Sequence, residues 1–160
     1  MRKLLITGLL ITFSFAPILA QEMDSLIFQA TNLMDQNRPK DAALIMEEVV
    51  AKDTTNYDCY AFLGNYHFLL GENAIKKADA DYQNITVPTR MQMAHYQDLL
   101  RRIYSTDYMK ADLYLKKALN LKKNDHLKNL TDSIMAFKRK LGLDVEMAKK
   151  KISKTATGVN

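Results

Sequence analysis

The sequence has no tryptophan, one cysteine, three prolines and five glycines among its 160 residues. A single cysteine, Cys59, excludes an internal disulfide, so stability must come from packing. Scarce glycine and proline, with no Asn-Gly pair, leave almost none of the turn signals that an all-β chain needs. No Gly-rich phosphate loop, nucleophile elbow or paired-cysteine metal motif occurs. The three histidines, His67, His95 and His126, lack metal-ligand spacing among themselves. No apolar run is long enough to span a membrane, which takes roughly 20 residues. These absences leave a helical chain with no catalytic residues, no metal and no cofactor expected.

The amino terminus carries a targeting pattern. Arg2 and Lys3 precede the uncharged apolar stretch Leu4–Phe15, Pro17 breaks it, and Ala20 offers a small residue before Gln21. This is the layout of a secretory signal peptide spanning residues 1–20, which predicts a periplasmic or secreted protein; an uncleaved membrane anchor is the less favoured reading. Without Arg2 and Lys3, the 23 basic residues fall to 21 against 18 acidic ones, a net charge of +3 in place of +5. So mild a charge, on an exported chain, gives no reason to expect nucleic acid as a partner.

Apolar residues recur at helical spacing over most of the remainder. A first helix is expected over about Asp24–Gln36, capped by Asp24 or Ser25, with Leu26, Ile27, Ala30, Leu33 and Met34 on one face. Asn37-Arg38-Pro39 breaks it. A second follows to about Lys52 and ends at Asp53-Thr54-Thr55-Asn56; so short a loop makes the two antiparallel. A third begins near Tyr57. A last helix over Asp125–Leu141 has the stripe Leu127, Leu130, Ile134, Phe137 and Leu141, with Gly142 suited to its end. A short helical piece, Val145–Ile152, and a basic tail with Lys149, Lys150, Lys151 and Lys154 close the chain.

In the third helix an aromatic, Tyr60, precedes Leu63-Gly64, and a second glycine, Gly71, lies beyond. Gly64 would let a neighbouring helix approach closely while Tyr60 and Leu63 fill the space beside it. The order and spacing resemble the tetratricopeptide-repeat family, whose units are helix pairs of about 34 residues. The segments Ala42, Met46, Val49, Val50 and Tyr108, Ala111, Leu115, Ala118, Leu119 are similar to second helices of such repeats. The resemblance covers residues 24–71 and 107–125. It implies an all-α fold in which antiparallel helix pairs stack as a short solenoid, closed by a capping helix. The helical domain would span 21–142, followed by a basic tail over 143–160.

One departure is large. Gly71 and Ala111 are 40 residues apart, against a handful in the family, leaving an insert at about 72–106. It reads either as a degenerate extra repeat or as an extension of both helices of the second pair into a protruding hairpin. Phase favours the hairpin. Leu63, His67, Leu70, Ala74, Ala78 and Tyr82 keep one stripe through Gly71, and Tyr96, Leu100, Ile103, Asp107, Ala111, Leu115 and Ala118 keep another. Asn84–Pro88 is the clear turn between them.

The resemblance also implies a binding surface. First helices of such repeats line a concave groove, which here would use Ile27, Thr31, Met34 and Asp35 with Asp58, Ala61, Asn65, Phe68 and Leu69. Apolar groups rimmed by acids suit an extended or helical peptide. The expected activity is therefore that of a scaffold, adaptor or assembly factor with a protein or peptide partner. The alternative is a binder of envelope polymers or anionic surfaces through the tail and hairpin. Met91-Gln-Met93-Ala-His95 carries copper-type ligands, but Met93 points away from Met91 and His95 on a helix, so the three do not converge.

Overall fold

The computed structural model describes residues 16–144. Six α-helices make up most of them: α1 (Ala16–Asp35), α2 (Pro39–Lys52), α3 (Tyr57–Gln83), α4 (Arg90–Ile103), α5 (Met109–Leu121) and α6 (Asp125–Lys140), with a π-helical turn at Tyr104–Tyr108 joining α4 to α5. Local chemistry sets most boundaries. Pro39 opens α2, where its missing N–H costs nothing, and Arg38 pairs with Asp41 at 2.6 Å. The Asn56 and Asn124 side chains accept from the third amide beyond them to cap α3 and α6. Thr89 and Gln92 form a reciprocal capping box on α4. Gly142, at φ +70°, takes the left-handed conformation just past α6.

α1 differs from expectation. It starts by Ala16, so Asp24 and Ser25 lie inside the helix and cap nothing. Pro17 falls in the first turn of this helix, where a missing N–H is tolerated, and no breaker lies between it and Leu26. Of the predicted signal segment only residues 16–20 are described, as backbone. The expected helical piece at Val145–Ile152 and all of the expected 143–160 tail beyond residue 144 lie outside the described residues.

The helices pack largely in chain order: α1 on α2, α2 on α3, α3 on α5, and α5 on α6. The broadest contact, α3 against α5, runs antiparallel, as its partners show. Lys117 lies 5.1 Å over the Tyr60 ring, Leu115 meets Gly64, Tyr108 meets Gly71, and Tyr96 stacks on Tyr82 at 4.3 Å. One partner number rises as the other falls over more than twenty residues. Residues 72–106 therefore lie in a hairpin: α3 continues unbroken past Gly71, and the chain returns through α4, the π turn and α5.

The π turn has a legible cause. Leu100, Tyr104 and Tyr108 are all buried at successive steps of four, which overrun the roughly 3.6 residues of an α-turn. The wider turn, in which the Met109 amide bonds back to the Tyr104 carbonyl, absorbs the excess. It seats Tyr108 against Gly71 and leaves Asp107, expected on the packing stripe, only half-buried.

The two glycines of α3 control the approach of α5. A Cβ on Gly64 would stand 2.6 Å from the Leu115 side chain and 3.1 Å from its backbone nitrogen; on Gly71 it would stand 2.5 Å from the Tyr108 ring. Helix propensity favours alanine over glycine by up to about 1 kcal/mol, but overpacking costs about 1–3 kcal/mol. Gly64→Ala and Gly71→Ala should each lower stability in urea unfolding. The Gly64 change should cost more, because backbone as well as side chain stands in its way.

Candidate functional site

The nine residues proposed to line a groove divide by exposure. Thr31, Met34, Asp35, Asp58 and Leu69 are exposed, Leu69 at 55% and Met34 at 40%. Ile27, Ala61 and Asn65 are half-buried. Two of the polar groups are already engaged: the Thr31 hydroxyl donates to the Ile27 carbonyl and the Asn65 amide to that of Ala61, both at 2.9 Å. Phe68 is buried, so it supplies no open floor. Its ring stacks on Tyr108 at 5.5 Å, and Tyr108 in turn meets the edge of Phe137 on α6 at 5.3 Å. The π turn explains the correction, since it aims Tyr108 at α3 where a regular helix would have presented Asp107. The accessible part of this face is Met34 with Asp35 on α1, and Leu69 with Asp58 on α3.

A buried polar cluster lies where α2, α3 and α5 meet. His67 on α3 is 7% exposed, and neither ring nitrogen has a hydrogen-bond partner. Its ring stacks on Tyr114 of α5 at 5.8 Å and meets Tyr66 edge-on at 5.3 Å. Glu47 of α2 stands 3.7 Å from Nε2 and accepts from the Tyr114 hydroxyl at 3.3 Å. Burial, aided by Lys110, holds the imidazole below its usual 6.5, against the opposite pull of Glu47 and Asp107. The arrangement joins α2, α3 and α5.

Cys59 is 1% exposed, with its sulfur 3.1 Å from that of Met46. Burial pushes the thiol up to about 11, which makes it a core hydrophobe and a poor nucleophile. Among the described residues no group of three or more His, Cys, Asp or Glu side chains is arranged to hold a metal. Met91 and His95 line a common cleft that excludes Met93, as helical spacing predicts. That cleft, between the end of α3 and the start of α4, was missed at the sequence level because its walls meet only once the hairpin closes.

No protein-family model matches the chain, and no curated protein matches it. Among solved structures, the fold is similar to that of a Bacteroides ovatus protein named as a candidate protein-binding protein, with a TM-score of 0.70 and 29% sequence identity. The match covers 74% of this chain and 58% of the neighbour, so the chain corresponds to little more than half of that protein.

The His67 cluster makes stability pH-dependent. With the folded-state imidazole held below 6.5, the unfolded chain binds the proton first as pH falls. Stability is therefore full above about 6.5 and declines below it, by at most about 1.4 kcal/mol per pH unit for one proton. His67→Phe, which retains a ring, should flatten this decline. Urea midpoints of both proteins between pH 8 and pH 5 measure the difference, and parallel curves would contradict the assignment.

Proposed function

We propose that the chain is an exported, tetratricopeptide-like interaction module that holds a partner polypeptide by shape and apolar contact, without bond chemistry. The carrying observation is the exposed pairing of apolar and acidic groups on α1 and α3: Met34 beside Asp35, and Leu69 on the same helix as Asp58. Large apolar side chains left exposed on helices that pack through other positions mark a surface suited to a partner. The likeness to a solved protein named for protein binding supports the same class of activity. On this reading α1–α2 and the α3–α5 pair are two repeats of a short solenoid, and α6 caps them.

Export fits the contacts that would survive processing. Cleavage after Ala20 removes residues 1–20 and retains Glu22, which pairs with Lys52 at 2.7 Å, and Met23, which is buried. The remaining helix, beginning at Gln21, keeps its anchor on α2.

Met34→Asp combined with Leu69→Asp tests the face without touching the core, whereas Phe68→Asp would place a charge in it. The double variant should keep its helical circular dichroism and urea midpoint. Its recovery of bound proteins from the envelope fraction should fall at least about tenfold, as loss of two apolar contacts at an interface centre predicts. An unchanged set of captured proteins with a folded variant would show that this face is not the binding surface.

A further inference from the structure

The far end of the hairpin carries a second feature. α4 packs on α3 before the chain enters the π turn, and between the two helices opens a cleft of about 370 Å³. Its size falls at the low end of the range for ligand sites. Tyr82 and Tyr96, stacked at 4.3 Å and nearly parallel, form one wall; Ile85, Met91 and Leu99 extend the apolar lining, and the small Ala78 leaves room at the base. The Tyr96 ring is pinned, because its hydroxyl donates to Asp79 at 2.5 Å, which pushes the phenol up to about 12. The wall is therefore preformed.

Among the lining residues Asp81 alone carries a formal negative charge; Gln92 and His95 are the other polar groups. Asp81 is exposed and makes no ion pair among the described residues, although Lys76, Lys77 and Arg90 are near in sequence. An unpaired carboxylate beside an apolar, tyrosine-walled cleft complements a long aliphatic stem that ends in a cation. The stem would lie along Ile85, Met91 and Leu99. The charge would meet Asp81 and a tyrosine face, which attracts a cation held within about 6 Å.

We propose that the hairpin-tip cleft binds a lysine or arginine side chain of a protein partner. Met91, which lines the cleft, and Val87, two residues beyond the lining residue Ile85, are each 81% exposed and offer apolar surface to the flanking residues of that partner. This site is distinct from the Met34–Leu69 face, and either can fail without the other.

The test uses three capped tripeptides titrated into the full chain at pH 8, followed by NMR: Gly-Lys-Gly, its norleucine analogue, which has the stem without the charge, and Gly-Glu-Gly. The lysine peptide should shift the ring signals of Tyr82 and Tyr96 saturably, with an affinity about fivefold better than norleucine, as expected for one exposed charge contact. The glutamate peptide should be weakest. Asp81→Asn, at an exposed position, should erase the preference of lysine over norleucine while leaving the spectrum otherwise unchanged. The proposal is overturned if norleucine binds as well as lysine or if lysine shifts residues remote from the cleft. It is equally overturned if no saturable shift occurs up to about 100 mM, a range that even weak fragment binding should reach.

Discussion

The approach of α5 to α3 is the constraint on which the rest of the structure depends. Helices come this close only where one of them gives up side chains, and α3 does so twice, at Gly64 for Leu115 and at Gly71 for Tyr108. Leu115 is fully buried, and burying a leucine contributes about 1.5–3 kcal/mol. Tyr108 contributes more area and links three elements, since its ring meets Phe68 on α3 and Phe137 on α6. The two sites are about two helical turns apart, so together they fix both the spacing and the direction of the pair.

Other features follow from that seam. With α3 straight through Gly71, its continuation needs a partner, and α4 supplies one across the Tyr82–Tyr96 stack. The return path has to meet Gly71 with Tyr108 and Gly64 with Leu115 while still burying Leu100 and Tyr104, and the π turn reconciles these demands. On the other flank α2 packs against α3, and Glu47 joins the buried His67 and Tyr114. The hairpin end, supported by two helices, is where space remains for a cleft.

Much of this was legible in the sequence. Helix positions followed from apolar periodicity, from the breaks at Asn37-Arg38-Pro39 and Asp53-Thr54-Thr55-Asn56, and from Gly142; the Asn56 and Asn124 caps emerged only with the structure. Continuity of the Leu63–Tyr82 stripe through Gly71 favoured a hairpin over an added repeat. The exceptions have physical causes. Periodicity assumes one turn geometry, so the π turn was invisible to it, and both Asp107 and Phe68 were misplaced in consequence. Two consecutive four-residue steps between large apolar residues, Leu100 to Tyr104 to Tyr108, were the available signal. The early start of α1 was missed because a signal-like apolar stretch and an amphipathic helix share the same helix-forming residues. The cleft arises from two segments that face each other across a turn, which a one-dimensional pattern does not display.

The functional reading inherits this hierarchy. Met34 on α1 and Leu69 on α3 are exposed apolar side chains, and the hairpin carries a separate acidic, tyrosine-walled cleft near its tip. Both depend on α3 being one rigid helix of 27 residues. Spin labels at exposed Asp58 and Gln83, placed in a Cys59→Ala background, measure that directly by pulsed electron resonance. A continuous helix separates the two backbone positions by about 38 Å, from a rise of about 1.5 Å per residue, and a narrow distribution centred near that distance is the result expected here. A distance below about 25 Å would mean that the chain turns back near Gly71, and would contradict the hairpin and the cleft at its tip.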